Sequence, residues 1–184
     1  MSADRLLPAS TPLIIGIVSH LDHRAAAPSS IRCFVLTISD TRTFDTDTAG
    51  RTIDALLTGA GHLVTERRIV RDEPDDVSAI VGEQLSAGDV QAIITTGGTG
   101  ISSRDRTYEA VSRLLDKTLD GFGELFRMLS YEEIGAAAML SRACAGLARG
   151  KIVIALPGSE NAVRLAMTKL VIPELPHLVR EASR

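Results

Sequence analysis

The chain has 184 residues, 20 Lys and Arg against 23 Asp and Glu, a formal net charge of −3, and 45% hydrophobic residues of which few are aromatic. A chain of this length buries roughly two thirds of its unfolded surface in one domain without staples, and its charge, with no basic stripe interleaved with aromatics, excludes a nucleic-acid binder held by phosphate neutralisation. The core must be packed from Ala, Val, Ile and Leu, as in parallel α/β sheets, and small molecules are the expected partners.

Residues 1–30, rich in Ala, Pro, Ser and His, carry no sustained period and read as an extension ahead of one domain over 31–184. A signal peptide is excluded: the apolar run 13–18 is short and broken by Pro8 and Pro12, and His20-Leu21-Asp22-His23-Arg24 puts charge where small neutral residues belong. His20 and His23 have a chelating spacing but no third ligand nearby, so a solvated tail is expected. No segment approaches the ~18 apolar residues of a membrane span. Cys33 and Cys144 lie far apart in apolar contexts, outside any CxxC pattern, which suits buried free thiols in a reducing cytoplasm.

Residues 31–39 form an apolar, β-branched run of strand length that opens into the acidic loop 40–47. Ile53, Leu56, Leu57 and Ala60 then follow helical spacing up to a stop at Gly61. Residues 62–70 are a weaker strand, Arg71-Asp72-Glu73-Pro74 a loop, and Val77, Ile80, Val81 and Leu85 a second helix ending near Gly88. A third strand over 90–95 runs into Thr96-Gly97-Gly98-Thr99-Gly100, and a helix is predicted over 107–115. From 120 to 143 the chain reads as mostly helical with little strand. Residues 151–156 are a last core strand ending in Pro157-Gly158-Ser159; Val163, Ala166, Met167 and Leu170 mark the helix behind it, and a short helix follows Pro173. Strands alternating with helices predict right-handed βαβ units and a parallel sheet with helices on both faces.

In such sheets ligands bind outside the carboxyl ends of the strands. The loop 40–47, the Asp72 loop, the glycine loop with Asp105, and Pro157-Gly158-Ser159 all follow strand ends, so the fold gathers them on one edge. Glycines at 97, 98 and 100 permit positive φ and close approach of an anion to backbone N–H groups. The loop is not a Walker A motif, since no Gly-Lys-Ser/Thr follows, nor a dinucleotide fingerprint, since Ser103 occupies the third glycine position. Asp40, Asp72 and Asp105 would repel phosphate by several kcal/mol if desolvated and bare. A divalent cation resolves that conflict, and hard carboxylate oxygens suit Mg²⁺. The plain alternative is that the glycines form a tight strand-to-helix turn and the aspartates are N-caps and turn residues. The combination points to phosphoryl or nucleotidyl transfer.

Thr96-Gly97-Gly98-Thr99-Gly100, Arg104-Asp105-Arg106-Thr107, Gly121-Phe122-Gly123-Glu124-Leu125-Phe126-Arg127, Ser141-Arg142-Ala143 and Leu156-Pro157-Gly158-Ser159, taken in order, resemble the MoaB/MogA family of molybdenum cofactor biosynthesis proteins. The stretch Phe126-Arg127-Met128-Leu129-Ser130-Tyr131-Glu132-Glu133-Ile134-Gly135 points to the MoaB branch. The resemblance spans about residue 31 to the C-terminus. It implies a three-layer α/β/α sandwich with a mostly parallel sheet, and Mg-ATP-dependent adenylylation of molybdopterin with release of pyrophosphate. It also implies a trimer or hexamer, with other cofactor-biosynthesis proteins as further partners. By the same resemblance Asp72 and Asp105 are the catalytic aspartates; the metal ligands expected from the charge argument are Asp72, Asp105 and Asp40. Thr96, Gly97, Gly98, Thr99, Gly100, Glu124, Pro157, Gly158 and Ser159 are implied to bind substrate. Arg104-Asp105 is intact here, where some MoaB proteins that have lost it are inactive. The other reading is a non-catalytic molybdopterin-binding or scaffold module.

Overall fold

The structure, a computed structural model, describes residues 28–184; most of the extension over 1–30, with His20 and His23, lies outside the described residues. Six strands form one sheet in the order β2-β1-β3-β6-β5-β4. The strands are β1 (Arg32–Ile38), β2 (Leu63–Val70), β3 (Ala92–Thr96), β4 (Lys117–Thr118), β5 (Cys144–Ala148) and β6 (Lys151–Leu156). β2, β1, β3 and β6 run parallel. β1, β3 and β6 read as near-continuous apolar runs because both faces of the sheet are covered there, whereas β2, at the edge, carries Glu66, Arg67 and Arg68.

On one face lie α1 (Thr48–Gly59), α4 (Asp120–Ile134), α5 (Glu160–Ala166) and α6 (Ile172–Ala182), packing Ile53, Leu57, Phe126, Val163 and Leu175 onto Val35, Ile94 and Ile154. On the other, α2 (Pro74–Ser86) and α3 (Thr107–Ser112) pack Val77, Val81, Leu85 and Val111 onto Phe34, Leu36, Ile93 and Val153. This is the expected three-layer arrangement. Asp47 starts α1 by accepting from the Gly50 N–H at 2.8 Å, a side-chain cap of the usual kind. At the far end of α2 the Lys151 ammonium donates to the Gln84 carbonyl at 2.7 Å and also to the Ala87 carbonyl.

The stretch 120–143, expected to hold little strand, is α4 followed by a 3₁₀ segment (Gly135–Leu140), but it is flanked by two strands the sequence did not suggest. β5 pairs antiparallel with β6, and β4 antiparallel with β5. Cys-Ala-Gly-Leu-Ala contains no β-branched residue; it is a strand because β6 offers an edge to pair with, which is tertiary context overriding propensity. The β5–β6 turn passes through Arg149 (φ 47°) and Gly150 (φ 76°), the two positive values a tight hairpin turn needs to match strand twist. The helix behind β6 and the C-terminal helix are continuous, joined by a π turn over Met167–Val171. Pro173 has no N–H for the carbonyl four residues back, so the ladder loosens there. Cys33 is fully buried and burial pushes its thiol up to about 12. Cys144, expected to be buried, is only partly so, beside the Ser112 hydroxyl at 3.5 Å. Among the described residues no helix is long and apolar enough to cross a membrane.

Candidate functional site

Because β2, β1, β3 and β6 are parallel neighbours, their C-terminal ends and the loops that follow share one edge. Gly97 (φ 103°) sits where a Cβ would overlap the Ile38 carbonyl oxygen, and a Cβ on Gly158 would come within 3.3 Å of the Gly97 Cα. The Gly97 N–H donates to the Leu156 carbonyl at 3.1 Å and the Thr96 hydroxyl to the Pro157 carbonyl at 2.7 Å. The loops after β1, β3 and β6 therefore meet backbone to backbone.

Gly98 and Gly100 have a different reason. At Gly98 (φ 62°) a Cβ would lie 2.7 Å from Asp72 Oδ1 and 2.8 Å from Thr107 Cβ; at Gly100 it would lie 2.5 Å from Asp105 Oδ2. The two missing side chains make room for the two aspartates.

Asp72 is half-buried, and its Oδ1 accepts from the Thr107 hydroxyl at 3.1 Å. Its N–H donates to Asp40 Oδ1 at 3.3 Å, while Asp40 Oδ2 accepts from Arg104 at 3.1 Å, the same guanidinium reaching Glu73 at 3.3 Å. Asp105 Oδ2 accepts from the Ser102 N–H at 3.0 Å. Neither Asp72 nor Asp105 caps a helix: α2 begins after Glu73 and α3 after Arg106, both without a side-chain cap bond. The capping alternative is overturned for both, though Asp105 does close a tight turn with Ser102. The acidic cap on this edge is Asp47, buried and bonded also to the Thr37 hydroxyl at 2.8 Å and Arg67 at 3.0 Å.

Burial raises the Asp72 carboxyl above its ordinary value, opposed by the Thr107 bond; the charges of Asp105 and Asp40 raise it further and Arg104 offsets part of that. The edge thus carries like charge around Asp72 that Arg104 offsets only in part. Among the described residues no three His, Cys, Asp or Glu side chains close into a ready metal cage. Asp40, expected as a third ligand, accepts from Arg104 at 3.1 Å.

Cavities flank the loop on both sides. A groove of about 1000 Å³ opens between the N-terminal ends of α2 and α3, lined by Asp105, Ser102, Ser103, Arg106 and Glu73 among others. Asp72 lines a pocket of about 200 Å³ with Arg104 and Arg106, and Thr96, Gly97 and Gly158 line one of about 80 Å³ with Arg42 and Thr37. Thr99 is buried. Ser159 is exposed at the N-cap of α5 and makes no side-chain cap bond. Glu124, exposed on α4, lines none of these three cavities. Sequence reasoning passed over Thr107, whose place after Arg104-Asp105-Arg106 was the available signal.

Residues 34–177 match the family described as a probable molybdopterin binding domain. The molybdenum cofactor biosynthesis protein B of Halalkalibacterium halodurans is 53% identical over 160 residues, covering 86% of this chain and 94% of that protein. A crystal structure of a molybdenum cofactor biosynthesis protein B is 52% identical, with TM-score 0.82 over 85% of this chain and 98% of that one. The tungsten cofactor synthesizing protein MoaB from Pyrococcus furiosus is 37% identical, with TM-score 0.77 over 86% of this chain and all (100%) of its own.

Proposed function

The chain belongs to the molybdopterin-binding family of molybdenum cofactor biosynthesis proteins, the family of MoaB and MogA, and on that premise we propose that it adenylylates molybdopterin. In this reaction a phosphate oxygen of molybdopterin bonds to the α-phosphorus of ATP, the bond from that phosphorus to the bridging oxygen breaks, and pyrophosphate leaves. Magnesium bound with ATP supplies neutralisation of the charge that gathers on the departing pyrophosphate.

The observation that carries this reading is the pairing of Asp72 and Asp105 with Gly98 and Gly100, which sets two carboxylates against one phosphate-type loop. A site that only held a polyanion would be weakened by those charges. Mg²⁺ takes one or two carboxylates and fills its other positions with phosphate oxygens and water, which suits a pair better than a closed cage. Asp72 and Asp105 would hold that metal, with Asp40, paired to Arg104, beside them rather than on it. Thr107 orients Asp72, and the backbone of 96–100 with 157–159 receives the substrate phosphate and pterin. Glu124 and Ser159 belong to the proposal as outer substrate contacts. A cytoplasmic trimer or hexamer completes it.

Incubating the protein with molybdopterin, ATP and MgCl₂ tests the proposal. Pyrophosphate should appear in step with adenylyl-molybdopterin. Tight molybdopterin binding with no pyrophosphate would instead assign the chain to the holding or scaffold role.

A further inference from the structure

Arg142 lies between the 3₁₀ segment and β5, 37 to 43 residues along the chain from the groups it touches on the glycine loop. Its Nε donates to the Thr99 carbonyl at 2.9 Å, and Nη2 to the Gly100 carbonyl at 2.5 Å and the Asp105 carbonyl at 3.3 Å. Nη1 and Nη2 reach the Glu109 carboxylate at 2.5 and 3.5 Å, and the guanidinium carbon stands 4.9 Å from the centre of the Tyr108 ring.

A trans peptide is planar, so a carbonyl and the N–H that follows it point in opposite directions. Drawing the carbonyls of Thr99, Gly100 and Asp105 onto one guanidinium therefore turns the N–H groups of Gly100, Ile101 and Arg106 to the opposite face of the loop. Arg142 is not itself placed to bind an anion. Its charge is matched by Glu109, whose carboxyl it holds below the ordinary value, and its Nε and Nη2 donors are committed to loop carbonyls. Only a planar fork spans acceptors so arranged; a lysine ammonium offers three donors from one point.

We propose that Arg142 is a positioning residue for the anion site: it fixes the peptide planes of 99–106 from behind, so that the loop presents N–H donors on its other face and carries Asp105 against Gly100. The inference depends on the function proposed above only for the identity of the anion.

Amide hydrogen exchange of the ligand-free protein is compared with that of Arg142→Ala and Arg142→Lys, alongside pyrophosphate release with molybdopterin, ATP and MgCl₂. In Arg142→Ala, exchange over 97–106 should quicken at least tenfold while β1, β3 and β6 stay protected. The molybdopterin kcat/KM should fall at least tenfold, chiefly through KM, and millimolar guanidinium chloride should restore part of both losses. Arg142→Lys, which keeps the charge and the stem should the alanine variant fail to fold, should loosen the loop in the same direction. Unchanged loop exchange, or acceleration spread evenly over the whole sheet, overturns the proposal. If the unmodified protein releases no pyrophosphate, the adenylyl-transfer reading fails, and loop exchange with its guanidinium rescue still decides the role of Arg142.

Discussion

Asp72 after β2 and Asp105 after β3 are explained by Gly98 and Gly100, and each pair predicts what happens when the other is changed. Gly98→Ala places a Cβ against Asp72 and Thr107 at φ 62°. The left-handed conformation alone costs an L-residue about 1–2 kcal/mol, so urea unfolding should show a loss of about 2 kcal/mol, and adenylyl transfer should fall because Asp72 is displaced. A variant with unchanged stability would mean the loop can take another shape. Asp105→Asn keeps an oxygen for the Ser102 N–H, so the fold should hold within about 0.5 kcal/mol, while pyrophosphate release should drop at least a hundredfold, a loss on the scale of removing one charge-stabilising group. Full turnover in that variant would end the metal role. The sequence made these residues visible because glycine spacing and charge are read along the chain. What each glycine leaves room for is not: the Thr107 hydroxyl meets Asp72 across 35 residues and Arg142 meets Thr99 across 43.

Secondary elements were legible where period and composition agreed with the tertiary role. The parallel strands β1, β3 and β6 and the helices α1 and α2 came through within a few residues. The β5 strand did not, because Cys-Ala-Gly-Leu-Ala is extended only by virtue of its neighbour, and Arg149-Gly150 is a weaker hairpin signal than Asn-Gly. That turn therefore has room for improvement. Arg149→Asn tolerates φ 47° better and keeps the N–H that donates to Asp116 at 2.7 Å; it should raise stability by about 0.5 kcal/mol in chemical unfolding. A loss would show that the Arg149 side-chain bond to Ser86, at 3.1 Å, outweighs the turn. At the start of β2, His62 is buried and its Nδ1 accepts from the Ile31 N–H at 3.3 Å. Burial holds its pKa below the ordinary value. Both folded and unfolded chains carry it neutral above about pH 6.5; below that only the unfolded chain gains the proton until the folded pKa is reached, so stability is lost as pH falls. The unfolding midpoint should drop between pH 7.5 and 5.5 by more in the unmodified protein than in His62→Gln. An equal drop would assign the pH response to other groups.

At the scale of the whole molecule, the five large apolar residues between positions 122 and 129 of α4 divide in a way periodicity could not foresee. Phe126 is wholly inside the subunit, Phe122 and Leu129 pack partly against the core, and Leu125 and Met128 face outward. Tyr131, Ile134, Met139 and Leu140 continue the exposed surface through the 3₁₀ segment, Met139 being 80% exposed. We propose that these exposed apolar residues meet other copies of the chain, since large apolar patches left in solvent are uncommon, and the family resemblance makes a second and third copy the expected partners. Light scattering at micromolar concentration should give a trimeric or hexameric mass rather than 19.6 kDa. Met128→Glu with Met139→Glu should lower that mass without unfolding the chain, whereas Phe126→Asp, with its charge in the core, should unfold it. A monomeric mass for the unmodified protein would contradict the assembly. The hairpin that brings Arg142 to the glycine loop also sets an order of events in time. A chain that has emerged as far as Asp105 already has the whole glycine loop, but the guanidinium that fastens it lies 43 residues beyond Thr99. β6 meets β3 across a longer separation still, Ala92 pairing with Ile152, whereas β5 meets β6 in a short hairpin; contacts of long separation close late, so the hairpin should form first and carry Arg142 in with it, and the step that closes the parallel sheet is also the one that completes the site.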